Sequence, residues 1–176
     1  KDNTVSIIRE YEPKFEGRMK WISEPDKGLY DAMNKGLQRA TGDYVCFLNA
    51  GDFLPSSATI ETIVQMAKCE LKSEGTLPAV LYGDTDIVDN DGTFIGHRRL
   101  RPPKNLSWRS FQQGMLVCHQ AFYARRDIAP MYDMKSRLSA DVDWCIRVMK
   151  NASKLVKVDA TVVNYLQNGL SLKHNR

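Results

Sequence analysis

Four short stretches of this sequence place polar side chains where chemistry is feasible. The densest is Ser23-Glu24-Pro25-Asp26-Lys27-Gly28-Leu29-Tyr30-Asp31-Ala32-Met33-Asn34-Lys35-Gly36. It reads as a loop entering a helix, where free backbone N–H groups and the helix dipole attract an anion such as a diphosphate, with Lys27 adding a point charge. The same residues also make a capped helix with a solvated face. The second stretch is Asn49-Ala50-Gly51-Asp52, an abrupt polar end to an apolar run. A lone carboxylate there holds one edge of Mg²⁺ or Mn²⁺ whose other ligands are phosphate oxygens and water, or it makes an ordinary turn. The third is Asp141-Val142-Asp143-Trp144 at the start of a helix. A general base must reach an acceptor hydroxyl from such a position, yet first-turn acids also arise from the dipole alone. The fourth, His119-Gln120, lies inside an apolar run and reads as a satisfied core histidine or as a catalyst. No Ser-His-Asp order, P-loop, GxGxxG or zinc-type spacing is present.

The elements that must position these groups alternate between helix and strand, which favours an α/β layer fold. Val5, Ile7 and Ile8 ahead of Tyr11 read as the end of a helix, and Met19-Lys20-Trp21-Ile22 as a short strand. Leu29, Met33, Leu37 and Ala40 recur at helical spacing, and Gly42 follows where a helix end wants a residue tolerant of positive φ. Tyr44-Val45-Cys46-Phe47-Leu48 reads as a strand buried on both faces, ending at the second polar stretch. Ile60, Ile63, Val64 and Ala67 mark a helix capped by Ser56 or Ser57. Val80-Leu81-Tyr82 reads as a strand stopping at Gly83-Asp84, and Ile87-Val88 with Thr93-Phe94-Ile95 as a hairpin around Asn90-Asp91-Gly92. Leu116-Val117-Cys118 with Ala121-Phe122-Tyr123 reads as a further strand. Val142, Cys145, Ile146 and Met149 form a helix stripe with Ser139 as N-cap.

With 176 residues, 43% of them hydrophobic and 26% charged, the chain has room for one domain with a sizeable core and is not disordered, collagenous or coiled-coil. No apolar stretch approaches the roughly 20 residues that cross a bilayer. No apolar signal core follows Lys1-Asp2-Asn3-Thr4, so no export signal is visible. A net charge of +4 is too mild to announce nucleic-acid binding, and no basic–aromatic stripe supports it. Cys46, Cys69, Cys118 and Cys145 form no CxxC pair and read as reduced thiols of a cytosolic protein. Residues 97 to 113 carry Arg98, Arg99, Arg101, Lys104 and Arg109, no acids, and Pro102-Pro103, so they read as a loop. Its charge is either solvated or drawn to an anionic membrane surface or a lipid-linked diphosphate.

In order, the run Trp21 to Gly36, then Ala40-Thr41-Gly42-Asp43-Tyr44, then Phe47-Leu48-Asn49-Ala50-Gly51-Asp52, resembles the family-2 glycosyltransferases, above all the bacterial branch that builds capsules, exopolysaccharides and O-antigens. Leu81-Tyr82-Gly83-Asp84, Cys118-His119-Gln120, Ala140-Asp141-Val142-Asp143-Trp144 with Arg147, and Gly169-Leu170-Ser171 fall in the same order. The resemblance implies a GT-A fold, a three-layer α/β sandwich with a mainly parallel central sheet. It implies a single domain over 1–176, with a donor- and metal-binding part (1–84) and an acceptor-binding and catalytic-base part (85–176). It further implies inverting transfer of a sugar from a nucleotide-diphospho-sugar to an acceptor hydroxyl, assisted by a divalent cation, Mn or Mg. The expected location is the cytoplasmic side, with peripheral contact at the inner face of the cell membrane through Arg98, Arg99 and Arg101.

Residue by residue, the resemblance places Asp52 at the final acid of the metal-binding DxD-like motif and Asp141 at the catalytic base. It places Asp26, Lys27, Asn34 and Asn49 in the donor-binding segments, and His119, Gln120 and Asp84 beside the sugar or acceptor. Gly51 stands where an acid is usual, and Asn49 where many members have Asp. The family opens with a strand bearing a Thr-Tyr-Asn-like stretch and a second strand ending in a base-reading Asp. Asp2-Asn3-Thr4 resembles only the tail of the segment after that second strand, so the first strands are expected to be absent here. The alternatives are a non-catalytic domain derived from such an enzyme and a nucleotidyltransferase, although the latter calls for a Gly-rich phosphate loop.

Overall fold

A computed structural model describes residues 2–135 and 139–167; the Gly169-Leu170-Ser171 block lies outside the described residues. Helix α1 spans Thr4–Tyr11, α2 Leu29–Arg39, α3 Thr59–Glu74 and α4 Ala140–Asn151. Strands β1 Tyr44–Val45, β2 Val80–Val88, β3 Phe94–His97, β4 Phe122–Arg125 and β5 Leu155–Leu166 form one sheet. β2 is its spine. One edge pairs in parallel with β5 along Val80–Val88. The other edge pairs antiparallel with β4 at Val80–Tyr82 and with β3 at Asp86–Val88. β1 adds antiparallel to β4. The longest ladder is therefore the parallel one expected, while the hairpin and the return through β4 make the sheet mixed. The expected division at 84/85 falls inside β2, so both parts share one sheet and one core.

Local chemistry explains where the elements start and stop. Ahead of α2, Asp26 Oδ1 accepts the Gly28 N–H (2.8 Å) and Asp31 Oδ2 accepts the Lys27 N–H (2.9 Å). Those carboxylates satisfy donors around the helix entry, and the favourable N-terminal dipole adds to this. α2 turns Met33 and Leu37 inward and ends at Ala40 in extended conformation, so Gly42 needs no positive φ. α3 starts later than the serines suggest. Ser56 Oγ accepts the Ala58 N–H, and Thr59 Oγ1 accepts the Ser56 N–H. α4 begins after Ser139, as its spacing predicts, and buries Trp144, Cys145, Val148 and Met149.

Four strand expectations are corrected. Met19–Ile22 has no ladder partner among the described residues and is not a strand. Only Tyr44–Val45 of the run to Leu48 pairs; beyond it, Cys46 Sγ donates to the Gln120 carbonyl (3.2 Å) and Phe47 stacks on His119, so side-chain contacts replace the ladder. His119–Ala121 is a 3-10 turn rather than strand. Finally, Gly83 does not stop β2. There β2 and β5 approach so closely that a Cβ would lie 2.7 Å from Val162 Cγ1 and 2.9 Å from the Ala160 carbonyl oxygen, and the register shifts beside it. β5 is an addition to the expected elements; its Thr161-Val162-Val163 run is the β-branched signal.

The Gly83 contact yields a stability prediction. Gly83→Ala should lower the urea-unfolding free energy by about 1–3 kcal/mol through overpacking, whereas Gly36→Ala, on α2 with open space around its Cβ position, should not. Equal unfolding midpoints for Gly83→Ala and the parent would show that the β2–β5 approach is not close.

Candidate active site

The sheet has a notch. β4 pairs with β2 up to Tyr82 and β3 pairs from Asp86, so the 3-10 turn His119–Ala121 sits beside the stretch between them. That turn carries two buried polar side chains, which must find partners. His119 Nε2 shares a 2.7 Å hydrogen bond with the Tyr132 hydroxyl. Its ring is stacked on Phe47 (5.5 Å between centroids) and set edge-on to Trp144 (5.6 Å). Burial pushes His119 down to about 4, against the opposing pull of the Asp141 carboxylate, so the ring is neutral at neutral pH. Burial likewise pushes the Tyr132 hydroxyl well up, with Cys145 and Asp141 adding to it.

Asp141 stands in the first turn of α4, half-buried. Its Oδ1 accepts the Val142 N–H (2.9 Å) and the Tyr30 hydroxyl (3.4 Å). Burial, and then the Asp141 charge, raise the Tyr30 hydroxyl, which keeps it a donor. Tyr30 also stacks on Tyr132, and Tyr132 on Trp144. Asn34 commits both ends of its carboxamide to this shell: Nδ2 donates to the Tyr132 carbonyl (3.1 Å) and Oδ1 accepts the Tyr132 N–H (2.7 Å). Asn34 is thus a packing clamp between α2 and the Tyr132 segment.

Asp52 is held from two sides. Gln120 Nε2 donates to Oδ2 (2.6 Å) and the Leu166 N–H donates to Oδ1 (2.9 Å). Gln120 is itself fixed by Cys118 Sγ donating to Oε1 (3.0 Å). Gly51 explains the missing acid beside Asp52. It sits at φ +92, a conformation that disfavours any side chain, and a Cβ there would press on Leu166 Cδ2 at 2.7 Å. An ionised carboxylate offers about four lone-pair positions. Asp52 therefore keeps acceptor capacity for a cation, although among the described residues no three His, Cys, Asp or Glu side chains gather around one. The residues fit a cation held by one carboxylate plus ligand oxygens and water, and they do not make an all-protein cage.

Two adjoining cavities unite these groups. One, of about 620 Å³, is lined by Asn49, Arg98, Arg99, Gln120, Asp141 and Tyr165 among others. The next, of about 450 Å³, is lined by Asp52, Phe47 and Met33, and again by Asn49 and Tyr165. Asp52 and Asp141 thus open onto a common cleft, with Asn49, Tyr165 and Gln120 between them.

Other expected residues lie around this cleft or away from it. Asp26 borders a groove of about 780 Å³ with Arg18, Lys20, Trp21 and Arg39, which shares Ala32 and Gly36 with the wall of the 450 Å³ cavity. Lys27 is exposed, and its backbone, rather than its ammonium group, makes its one hydrogen bond among the described residues. Lys35, not singled out by its sequence context, anchors that loop through Glu24 (3.1 Å), Asp31 (3.4 Å) and the Pro25 carbonyl (2.8 Å). Asp84 is buried, with Arg101 Nε and a terminal nitrogen on its Oδ1 (3.2 and 3.1 Å) and Lys157 on its Oδ2 (3.3 Å). This buried carboxylate is thus committed to two cations and lines neither cavity of the cleft. This also removes Arg101 from the free basic loop. Tyr30 and Tyr132, which line neither cavity but contact Asp141 and His119, are contacts that sequence reasoning misses. Tyr30 is legible only as a member of the first polar stretch, and Tyr132 gives no signal, because its role depends on a stacking chain across three elements.

Residues 1–130 match the family described as Glycosyl transferase family 2. A PGL/p-HBAD biosynthesis glycosyltransferase of Mycobacterium bovis is 28% identical over 166 residues, covering 92% of this chain and 59% of its own length. An uncharacterized glycosyltransferase of Mycobacterium tuberculosis is 31% identical over 150 residues, covering 83% and 52%. The amylovoran biosynthesis glycosyltransferase AmsB of Erwinia amylovora is 28% identical over 149 residues, covering 82% and 48%. The chain thus spans about half the length of the curated relatives it matches. Among solved structures, S. aureus TarS 1–349 in complex with UDP superposes with a TM-score of 0.66 at 14% identity, over 94% of this chain and 48% of that one. This likeness shows the GT-A fold.

The buried histidine gives this site a pH signature. Because the folded value (about 4) lies below the ordinary 6.5, the unfolded chain binds the extra proton first. His119 therefore contributes stability that is complete above about pH 6.5 and lost on acidification towards pH 4, by at most about 1.4 kcal/mol per pH unit. Urea titrations across that range should show the loss in the parent and a flatter profile in His119→Gln. Parallel profiles would mean that His119 is protonated in the folded protein.

Proposed function

The chain belongs to glycosyl transferase family 2, and from that premise we propose that it carries the catalytic cleft of a glycosyltransferase of surface-polysaccharide or glycolipid assembly. The observation that supports this reading is the convergence of Asp52 and Asp141 on one cleft. They come from distant parts of the chain, and each is fixed by hydrogen bonds to other elements. The biosynthetic roles printed for the mycobacterial and Erwinia relatives, and the UDP bound by TarS, suggest a uridine-diphosphate-linked donor.

In this reading Asp141 takes the proton of the acceptor hydroxyl as its oxygen forms the new bond to the anomeric carbon. The carbon's bond to the diphosphate breaks on the opposite face, so configuration inverts. Tyr30 orients Asp141, and neutral His119, backed by its hydrogen bond to Tyr132, walls the cleft without adding charge. Asp52 is the residue that would hold Mn²⁺ or Mg²⁺. When bound, such a cation neutralises charge developing on the leaving diphosphate. Gln120, facing the cleft while hydrogen-bonded to Asp52, keeps that carboxylate aimed inward. Asn49, on the wall common to both cavities, is placed to meet the donor. Asp26 stands at the groove ahead of α2 that adjoins the Asp52 cavity through Ala32 and Gly36, and Lys27 on the exposed loop beside it. Among the described residues no helix is long and apolar enough to cross a membrane. Peripheral contact with a cytoplasmic membrane face rests on Arg98 and Arg99, together with the exposed Phe94 and Ile95 of β3.

Two variants test the roles separately. Asp141→Asn should cut turnover by about 10²–10⁴-fold while UDP affinity, measured by calorimetry, stays within about twofold. Unchanged turnover removes Asp141 from the chemistry. Asp52→Ala should erase the increment in UDP affinity that Mn²⁺ gives the parent protein. If the parent shows no such increment, the cation is not part of this site.

A further inference from the structure

The cleft carries an electrostatic imbalance that the two carboxylates do not explain. Among the described residues lining the 620 Å³ cavity, Asp141 is the one acid, against Arg98 and Arg99. Within the described residues neither arginine has a carboxylate partner. One terminal nitrogen of Arg98 donates to the Leu100 carbonyl (2.8 Å) and to the Leu116 carbonyl (3.4 Å). These bonds fix the guanidinium without neutralising it. Arg99 is exposed and makes no side-chain hydrogen bond or ion pair with any described residue. The neighbouring Arg101 differs, being paired with the buried Asp84. His97, which also lines the cavity, has its Nδ1 2.7 Å from Asp86 Oδ1. These arginines thus divide into one paired with a buried acid and two that line the cleft without a carboxylate partner among the described residues.

We propose that Arg98 and Arg99 form a phosphate-binding subsite of the cleft. Guanidinium forks match phosphate oxygens in bidentate geometry and keep their charge at any physiological pH. Arg98 is already oriented by its two carbonyls, and Arg99 is free to close on a ligand. Two sources supply this chemistry: the diphosphate of a donor, or a phosphate carried by the acceptor. The arginines line the cavity of Asp141, while the neighbouring 450 Å³ cavity that holds Asp52 contains neither of them. That placement favours a phosphate on the acceptor, and this assignment of source rests on reading Asp141 as the base of a glycosyl transfer. The subsite itself does not.

Calorimetry on the full chain with glycerol 3-phosphate, in the presence and absence of saturating UDP, tests the subsite and separates its sources. The variants are Arg98→Gln/Arg99→Gln and, as a control for net charge, Lys104→Gln, an exposed cation of the same loop. The parent should bind glycerol 3-phosphate alongside UDP, the double variant about tenfold or more weakly, and Lys104→Gln within about twofold. If UDP alone binds the parent, and the double variant loses that affinity, the subsite stands and its phosphate is the donor's. If the double variant binds both ligands as the parent does, or Lys104→Gln weakens them equally, the subsite is overturned. Unchanged thermal unfolding of the double variant establishes that any loss is not misfolding. A parent that binds glycerol 3-phosphate through the arginines, but shows no UDP binding, would sink the transferase reading and leave the subsite intact.

Discussion

Asp52 accepts one hydrogen bond from the side chain of Gln120 and another from the backbone of Leu166. The first ties the polar turn after Leu48 to the 3-10 turn ahead of β4, and the second ties it to the end of β5. Phe53 reinforces the latter through a reciprocal pair of backbone hydrogen bonds with Asn164. A half-buried carboxylate needs such partners, because an unpaired one in this setting would be expensive to desolvate. Meeting that need brings three distant segments to one place, and the cleft forms where they meet. Gly51 belongs to the same constraint, since its φ of +92 is a conformation that side chains disfavour and it brings the turn close against Leu166.

The second support is aromatic. Tyr30, Tyr132 and Trp144 stack in sequence, with Phe47 and His119 set against them. The stack joins α2 to α4 through the Tyr132 segment, and Asn34 locks its middle member by the backbone. Aromatic pairs of this kind each contribute about 0.5–1.5 kcal/mol beyond simple burial, so the floor beneath Asp141 is rigid. Burial keeps the histidine neutral and the tyrosine hydroxyls protonated. The carboxylates and the arginines are thus left as the charged groups at the cleft.

These two supports separate structural from chemical polarity. Asn34 and Asp84 look like site residues by type and position, yet both are committed to internal partners. Asp84 pairs with Arg101 of the loop and Lys157 of β5 away from the cleft, whereas Arg98 and Arg99, without a carboxylate partner among the described residues, line it. Sequence proximity places Arg98, Arg99 and Arg101 in one cluster; their partners divide them.

The sequence alone determined the family, the α/β class and the starts of α2 and α4, and it singled out Asp52 and Asp141 as candidates, because those features are local: helical spacing, caps, and polar breaks at the ends of apolar runs. It could not determine that β2 runs through Gly83, since that depends on how closely β5 crosses. Nor could it show that the run after Val45 leaves the sheet, because the contacts replacing the ladder come from Gln120 and His119. The assignment of Asn34 and Asp84 to packing and of Arg98 and Arg99 to the cleft was likewise decided by tertiary structure. A side chain's chemistry is set by the partner that reaches it first, and those partners lie far away along the chain.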